Sequence, residues 1–386
     1  MSFQQCVGKV SSQMPLPSHE ALASSPTTIV VFGPSMGESI VVRTESEETG
    51  PIFGVIDSAR REFESSSVNP ALEMLKKEDA RPTFVALTHP HSDHSNGLAD
   101  IIEWAGSEAT IGCVEPLLSR PSPFAAAVDP DDLMSVSRSQ NVVAHTAILR
   151  AWANGARKMS FSRDSTFSLG DWKLRVLHPS ENAIDDAMER YKDEKHVNLN
   201  DLSASMLLTK DERSFVLGAD GEFQAWNAVK SWLSPNDLLA AAPVKVPHHG
   251  SKNAIHPVLI DSSVPNLGRK QVVTPFPSSG RLPRFEAGGG ADELLQASGE
   301  FELTAMPVDL IPDRRSREAV TFKTARNAFS TAPFAGDGDI AVRTFSSSGN
   351  LVEAKRDPRE TWILFGLEED GSVTTERGLH SMKIVK

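Results

Sequence analysis

The sequence predicts an α/β protein whose sheet layers are covered by helices, and three observations predict it. Short apolar runs follow one another as a meander near the start: Ile29–Phe32, Ser39–Arg43 and Ile52–Ile56, with Gly33, Pro34 and Gly37 marking the first turn. Strand-like and helix-like periods then alternate between residues 70 and 114. Three apolar runs, Phe84–Leu87, Ser214–Leu217 and Leu239–Val246, lead into histidine or aspartate.

The elements follow in order. Residues 1–26 are rich in Ser, Gln and Pro and are expected to be flexible, with order beginning at Thr28. Pro70–Glu78 has helical spacing, with Leu72 and Leu75 on one side and Lys76 and Lys77 near its end. Phe84–Leu87 reads as a strand, Leu98–Ala105 as a helix with Leu98, Ile101, Ile102 and Ala105 on one face, and Ala109–Val114 as a strand. Asn141–Trp152 reads as a helix. Ser165–Leu169 and Trp172–Leu177 flank a Gly170-Asp171 hairpin turn. Glu181–Lys195 is a polar helix plus loop, Ala204–Leu208 and Ser214–Leu217 are paired strands, and Phe223–Leu233 is a helix. Gly288–Ala291 reads as a flexible break. Phe301–Val308, Asp339–Phe345 and Trp362–Phe365 look like strands. The expected organisation is a main unit over 27–320 and a β-rich extension over 321–386 that could complete a second sheet.

Bulk properties narrow the function. The chain has 386 residues and a formal charge of −12, which disfavours long polyanions on the surface at large. Two cysteines, Cys6 and Cys113, give neither a disulfide framework nor a thiolate metal site and fit a reducing, cytoplasmic setting. No basic segment precedes a long apolar core at the N-terminus, so no secretory signal is expected. No apolar run reaches membrane-spanning length, so no membrane partner is expected.

The chemistry concentrates in Thr88-His89-Pro90-His91-Ser92-Asp93-His94, where three of the eleven histidines fall within six positions. Imidazole nitrogens and carboxylate oxygens are good ligands for zinc and similar divalent ions. A strand end that releases into a tight turn can aim these side chains into one cavity. A Pro-Ser-Asp-His turn would need no metal, but two later sites support the metal reading. Asp220 follows an apolar strand and is flanked by glycines, where it could bridge two cations or simply make an Asp-Gly turn. Val244-Lys245-Val246-Pro247-His248-His249-Gly250-Ser251 again ends an apolar run in histidine. Adjacent histidines point in different directions, so one can ligate while the other supports the site or touches substrate.

These elements, with Gly37-Glu38-Ser39, Asp57 and Asn200-Asp201-Leu202-Ser203, resemble in order and spacing the metallo-β-lactamase-fold hydrolases over about residues 28–275. Within them the chain looks most like the soluble hydrolase domains related to the competence protein ComEC. The resemblance implies an αβ/βα sandwich of two central mixed sheets with outer helices. It implies two divalent ions, zinc first and manganese second. His89 and His91 would hold one, Asp93, His94 and His249 the other, and Asp220 would bridge them. Asp93 and Asp220 would also orient a bridging hydroxide. Many members supply a further histidine to the first metal; here Asn200-Asp201 stands in that place, and His196, His178, Asn200 or His248 are the candidates for an added ligand.

Around the ligands, Asp57 is the best carboxylate to orient an imidazole, or else a strand-end cap. Asp201, Lys245, His248, Ser251, Arg281 and Arg284 are candidates for supporting the site or meeting substrate; Lys245 could equally face outward from its strand. The implied reaction is hydrolysis, with phosphodiesters, nucleotides or nucleic acid as the substrates suggested by ComEC-like relatives. Carboxylic esters, lactones and thioesters are the alternative, since one fold serves many reactions. A binding or assembly module with little catalysis is the third reading.

Overall fold

The structure is a computed structural model and describes residues 16–33, 37–46, 48–63, 66–114, 136–193, 197–233, 242–260, 270–276, 282–285, 287–305, 358–379 and 381–385. Order begins earlier than Thr28. A short helix, α1 (His19–Ala23), is capped by Ser18, whose side chain accepts from the Ala21 N–H, and Leu22 is buried.

Strands β1 (Thr27–Phe32), β2 (Ser39–Ser46) and β3 (Gly50–Ile56) form the antiparallel meander read from the sequence. A separate hairpin follows, β4 (Arg61–Phe63) with β5 (Ser66–Val68). Helix α2 (Pro70–Lys77) starts where Asn69 accepts from the Leu72 N–H and Pro70 presets the first turn. β6 (Phe84–Leu87) then pairs parallel with β3. The turn α3 (Ser92–Ser95) and helix α4 (Leu98–Ala105) lead to β7 (Thr110–Cys113), and α5 (Val136–Ala153) leads to β8 (Arg157–Ser160), each strand parallel to the one before.

The chain next builds a second sheet. β9 (Thr166–Leu169), β10 (Trp172–His178), β11 (Ser205–Lys210) and β12 (Arg213–Leu217) are antiparallel neighbours, with α6 (Glu181–Lys192) between β10 and β11. After α7 (Phe223–Trp232), β13 (Val244–Lys245) adds parallel to β12. After α8 (Pro257–Ile260), β14 (Gln271–Val273) adds parallel to β13, and after α9 (Gly290–Ser298), β15 (Glu300–Leu303) adds parallel to β14. The break expected at Gly288–Ala291 is the start of α9. Gly290 and Ala291 are buried, and a Cβ on Gly290 would overlap the Gly250 carbonyl oxygen.

The C-terminal strands serve both sheets. β16 (Trp362–Leu367) pairs with β1 and β17 (Val373–Arg377) with β16, whereas β18 (Met382–Val385) pairs with β15. The first sheet therefore runs β17-β16-β1-β2-β3-β6-β7-β8 and the second β18-β15-β14-β13-β12-β11-β10-β9. The expected strand at Asp339–Phe345 lies outside the described residues.

Alternation along the strands sets the layers, because successive side chains point to opposite faces. In β11, Met206 and Leu208 join a large core that also holds Val31, Val42 and Phe365 of the first sheet, while Leu207 joins a second cluster with Trp226 and Leu294 of α7 and α9. Phe215 and Val216 of β12 divide in the same way, and Phe215 meets Phe365 across the sheets at 5.4 Å. On the first sheet, Leu75, Ile101 and Ile148 of α2, α4 and α5 pack into the large core. The architecture is thus two mixed sheets face to face with helices outside. Strands buried on both faces read as continuous apolar runs, which is why they were visible in the sequence.

Candidate metal centre

The site lies where β3, β6, β12 and β13 end. Their chain exits are tight. Asp57, Ala219, His248 and His249 all have positive φ, at 59°, 45°, 46° and 54°. Non-glycine residues rarely adopt this conformation, and its strain gathers at functional sites. These turns bring together side chains of the first sheet (His89, His91, Asp93, His94) and of the second (Asp220, His249).

Two groups of ligand atoms result. In one, His94 Nε2 lies 3.7 Å from Asp93 Oδ2 and 3.3 Å from Asp220 Oδ1, and His249 Nε2 lies 3.1 Å from Asp93 Oδ2 and 3.8 Å from Asp220 Oδ2. Donors about 2.0–2.2 Å from a tetrahedral zinc stand roughly 3.3–3.6 Å from one another, so these spacings bracket that geometry. In the other, His89 Nε2 is 2.9 Å from His91 Nδ1 and 3.8 Å from Asp220 Oδ2. Asp220 belongs to both sets of mutually close potential ligands, with His94, His249 and Glu38 in one and with His89 and His91 in the other, and Asp93 borders the first through its contact with His249.

The far edges of the rings are held. His94 Nδ1 donates to Asp57 Oδ2 at 2.7 Å. Thr88 Oγ1 donates to the same oxygen at 2.7 Å and lies 3.1 Å from His89 Nδ1, so one carboxylate orients two imidazoles, one of them through a hydroxyl. Ser203 Oγ accepts from the Asp220 N–H at 2.9 Å and stands 3.2 Å from His89 Nδ1. His249 Nδ1 lies 2.8 Å from the Thr274 carbonyl oxygen. Imidazoles anchored at one nitrogen present the other as a fixed donor. His94 Nε2 and Asp220 Oδ1 are buried without a hydrogen-bonding partner, which costs free energy unless something binds there.

Electrostatics agree. Burial pushes the Asp220 carboxyl up, but His94, His249 and His89 outweigh it and hold the group well below the usual carboxylate range. Burial likewise opposes charge on Asp93, and His94 and His249 keep it ionised. Burial, with His94 and His91 beside it, keeps the His89 imidazole neutral. Burial disfavours a proton on His94, yet Asp220, Asp93, Asp57 and Glu38 raise its pKa well above the ordinary value. The same carboxylate field that draws a proton to His94 favours a cation in its place.

The remaining sequence candidates divide. His248 turns away from His249, with Nδ1 3.4 Å from Glu222 Oε1 and Nε2 3.4 Å from Asn200 Nδ2. Burial works against its proton, but Glu222 and Asp220 prevail and raise its pKa. His178 points elsewhere: its Nε2 lies 2.7 Å from the Asp201 carbonyl oxygen and supports the turn at Leu199–Leu202. Asp201 is half-buried, and burial and Glu222 raise its pKa. Lys245 does not face outward; it is fully buried, with Nζ on Glu38 Oε2 and 3.2 Å from the Ala219 carbonyl oxygen. The Ser251 N–H donates to the His248 carbonyl oxygen, closing the turn, and Arg284 is exposed. His196 and Arg281 lie outside the described residues.

Sequence reasoning left five site residues without a role, Ser203 beside His89 and Asp220 being one of them. Thr88 and Thr274 anchor rings, Glu222 faces His248, and Glu38 lies behind His94 and His249, 3.8 and 3.9 Å from their Nδ1 atoms. The Gly37-Glu38-Ser39 match was the available signal for Glu38; a threonine after a strand carries none.

By fold and site the chain is a two-sheet α/β sandwich whose strand ends carry two candidate groups of histidine and carboxylate metal ligands that share Asp220. No family model and no curated protein matches it. Solved structures to which it is similar include a metallo-beta-lactamase from Staphylococcus aureus, with 16% identity over 57% of this chain and 54% of that one and a TM-score of 0.31. The metallo-beta-lactamase fold protein YhfI from Bacillus subtilis shares 13% identity over 52% of this chain and 64% of its own, with a TM-score of 0.28. A motif mutant of a metallo-beta-lactamase from Cronobacter sakazakii shares 14% over 56% and 75%, with a TM-score of 0.31. The chain thus spans less than two thirds of the first two. Among the described residues no helix is long and apolar enough to cross a membrane.

Proposed function

We propose that the chain is a metal-dependent hydrolase acting on small phosphodiesters. The observation that carries the reading is Asp220, shared between two groups of potential ligands and buried with an unpartnered oxygen. Nitrogen and oxygen donors of this kind fit zinc first and manganese second. His89, His91 and Asp220 would hold one ion; Asp93, His94, His249 and Asp220 would hold the other. When bound, such a pair supplies an activated water and polarises a phosphoryl or carbonyl oxygen.

The protein's own groups do the rest. Asp57, Thr88, Ser203 and Thr274 hold the imidazoles so that their donors stay in place. Asp93 and Asp220, both held ionised, keep the centre's donor set anionic and orient the attacking water. His248, half-buried between Glu222 and Asn200 beside the donor set, is the group assigned to the substrate's phosphoryl or departing oxygen. A cleft of about 580 Å³ adjoins the Leu199–Leu202 turn and is lined by Asp186, Glu189, Asp193 and Asp201, with Arg190 among them.

The test is hydrolysis of bis-p-nitrophenyl phosphate by protein purified without chelator, with zinc or manganese added, beside an Asp93→Ala/His94→Ala variant. Metal-dependent turnover that disappears in the variant is expected. A folded, metal-loaded protein that cleaves p-nitrophenyl acetate or a lactone but no diester would overturn the substrate class.

A further inference from the structure

We infer that Glu38 and Lys245 form a buried clamp that positions the donors of the two sheets against one another, and that Glu38 is a positioning residue for the centre rather than one of its ligands. The inference rests on the metal-centre reading above and adds residues which that reading does not use.

The centre poses a geometric problem. His89, His91, Asp93 and His94 follow β6 in the first sheet, while Asp220 and His249 follow β12 and β13 in the second. A metal site needs its donors held to about 0.5 Å. Contacts within one sheet cannot fix the distance between the two sets, so something must tie the sheets together at the site.

Glu38 does this from the start of β2. Its N–H donates to the Asp93 carbonyl oxygen at 3.0 Å. Gly37 makes that approach close, with φ of 117° and a position where a Cβ would overlap the same carbonyl. The Glu38 side chain then crosses to the second sheet. Its Oε2 accepts from Thr274 Oγ1 at 2.8 Å and is paired with the Lys245 ammonium. Thr274 in turn holds His249 Nδ1 through its carbonyl and hydroxyl oxygens, at 2.8 and 3.0 Å. One residue of the first sheet therefore touches the backbone of Asp93 and, through Thr274, the ring of His249.

Glu38 lies close enough to His94, Asp220 and His249 to be counted with them, and its Oε1 has no hydrogen-bonding partner, but its orientation argues against direct ligation. Glu38 Oε1 stands 3.8 Å from His94 Nδ1 and Oε2 3.9 Å from His249 Nδ1. These are the ring edges opposite the Nε2 atoms that face Asp93 and Asp220. Lys245 and Thr274 occupy Oε2 and keep the carboxylate turned away. Lys245 also answers the charge of a carboxylate that would otherwise be buried unpaired beside Asp57, Asp93 and Asp220, a costly state.

The experiment is calorimetric titration of metal-free protein with zinc chloride, with urea unfolding of the same samples and the visible spectrum after cobalt loading. The proteins are wild type, Glu38→Gln, Lys245→Met and the double variant, with His94→Ala as a ligand control. If the clamp positions the centre, Glu38→Gln and Lys245→Met each weaken zinc at the His94–His249 group about 10–100-fold and alter the cobalt spectrum. The double variant, which removes both charges, regains resistance to urea but not affinity, and its loss is no greater than that of one single variant because the pair acts as a unit. Should the variants differ from wild type only in urea resistance, with zinc affinity and cobalt spectrum unchanged, the pair is a structural contact and the inference fails. The double variant keeps the test decisive if a single variant does not fold. Failure of the underlying reading has its own signature: wild type binds neither zinc nor manganese and matches His94→Ala.

Discussion

His94 Nδ1 donates to Asp57 Oδ2 across 2.7 Å, and this contact turns Nε2 of the same ring toward Asp93 and Asp220. Asp57 Oδ1 also accepts from the Thr88 N–H at 2.8 Å, and Oδ2 from the Thr88 hydroxyl. One buried carboxylate thus serves three donors at the end of β3, and two of them lead to imidazoles.

Replacing Asp57 with alanine should lower zinc affinity by about 10–100-fold, since the ring loses its orienting partner. The buried Thr88 N–H left behind should cost about 1–3 kcal/mol of stability. Calorimetry and urea unfolding read the two effects separately. Unchanged zinc binding would remove Asp57 from the centre and leave it a strand-end cap.

The pKa shifts give a pH signature. His94 is raised above its unfolded value of about 6.5, so its stabilising contribution in metal-free protein is full below that pH and fades as pH rises through the folded value. Asp220 is depressed, so its contribution is present above about 3.9 and is lost as pH falls through the folded value. A metal at His94 must displace the proton, so zinc uptake near pH 7 should release protons, and affinity should fall as pH is lowered. The check is titration in buffers of different ionisation enthalpy. Equal apparent heats in all of them would contradict the charge assigned to His94.

His248 should matter most when the departing group is poor. A p-nitrophenolate leaves without help, whereas an alkoxide needs a proton. Replacing His248 with alanine is expected to slow alkyl diesters by about 10²–10⁴-fold and to affect bis-p-nitrophenyl phosphate much less, with metal content retained. Equal slowing of both substrates would point to phosphate binding alone.

Gly290 touches the turn that carries His249. A methyl group there would overlap the Gly250 carbonyl oxygen, so Gly290→Ala must shift either α9 or the His248–Gly250 turn. A loss of about 1–3 kcal/mol is expected from such overpacking, together with weaker zinc binding. Wild-type unfolding and wild-type affinity would mean that the segment yields without strain.

Much of the fold and part of the site were legible because their signals are local. Leu98–Ala105 declared itself by a single apolar face and was found with those bounds. Histidines and aspartate after Phe84–Leu87, and the histidines after Val244-Lys245, announced donors at strand ends. β14 has three strand residues, and α9 begins in a run of glycines, so neither carried a period long enough to read. Lys245 looked like a strand residue free to face outward because alternation says which residues share a face, not which face is buried.

The sequence by itself determined the strand–helix alternation, the donor types and their places at strand ends, since each depends on neighbours a few positions apart. Tertiary structure alone decided that β16 and β17 close the first sheet while β18 closes the second. It alone chose which nitrogen of each imidazole is anchored, set Glu222 against His248, and joined Glu38 to Thr274 across 236 positions of the chain. Such contacts arise from the packing of two sheets, where position follows the whole core rather than any local period. No spacing rule within a segment reaches across that distance.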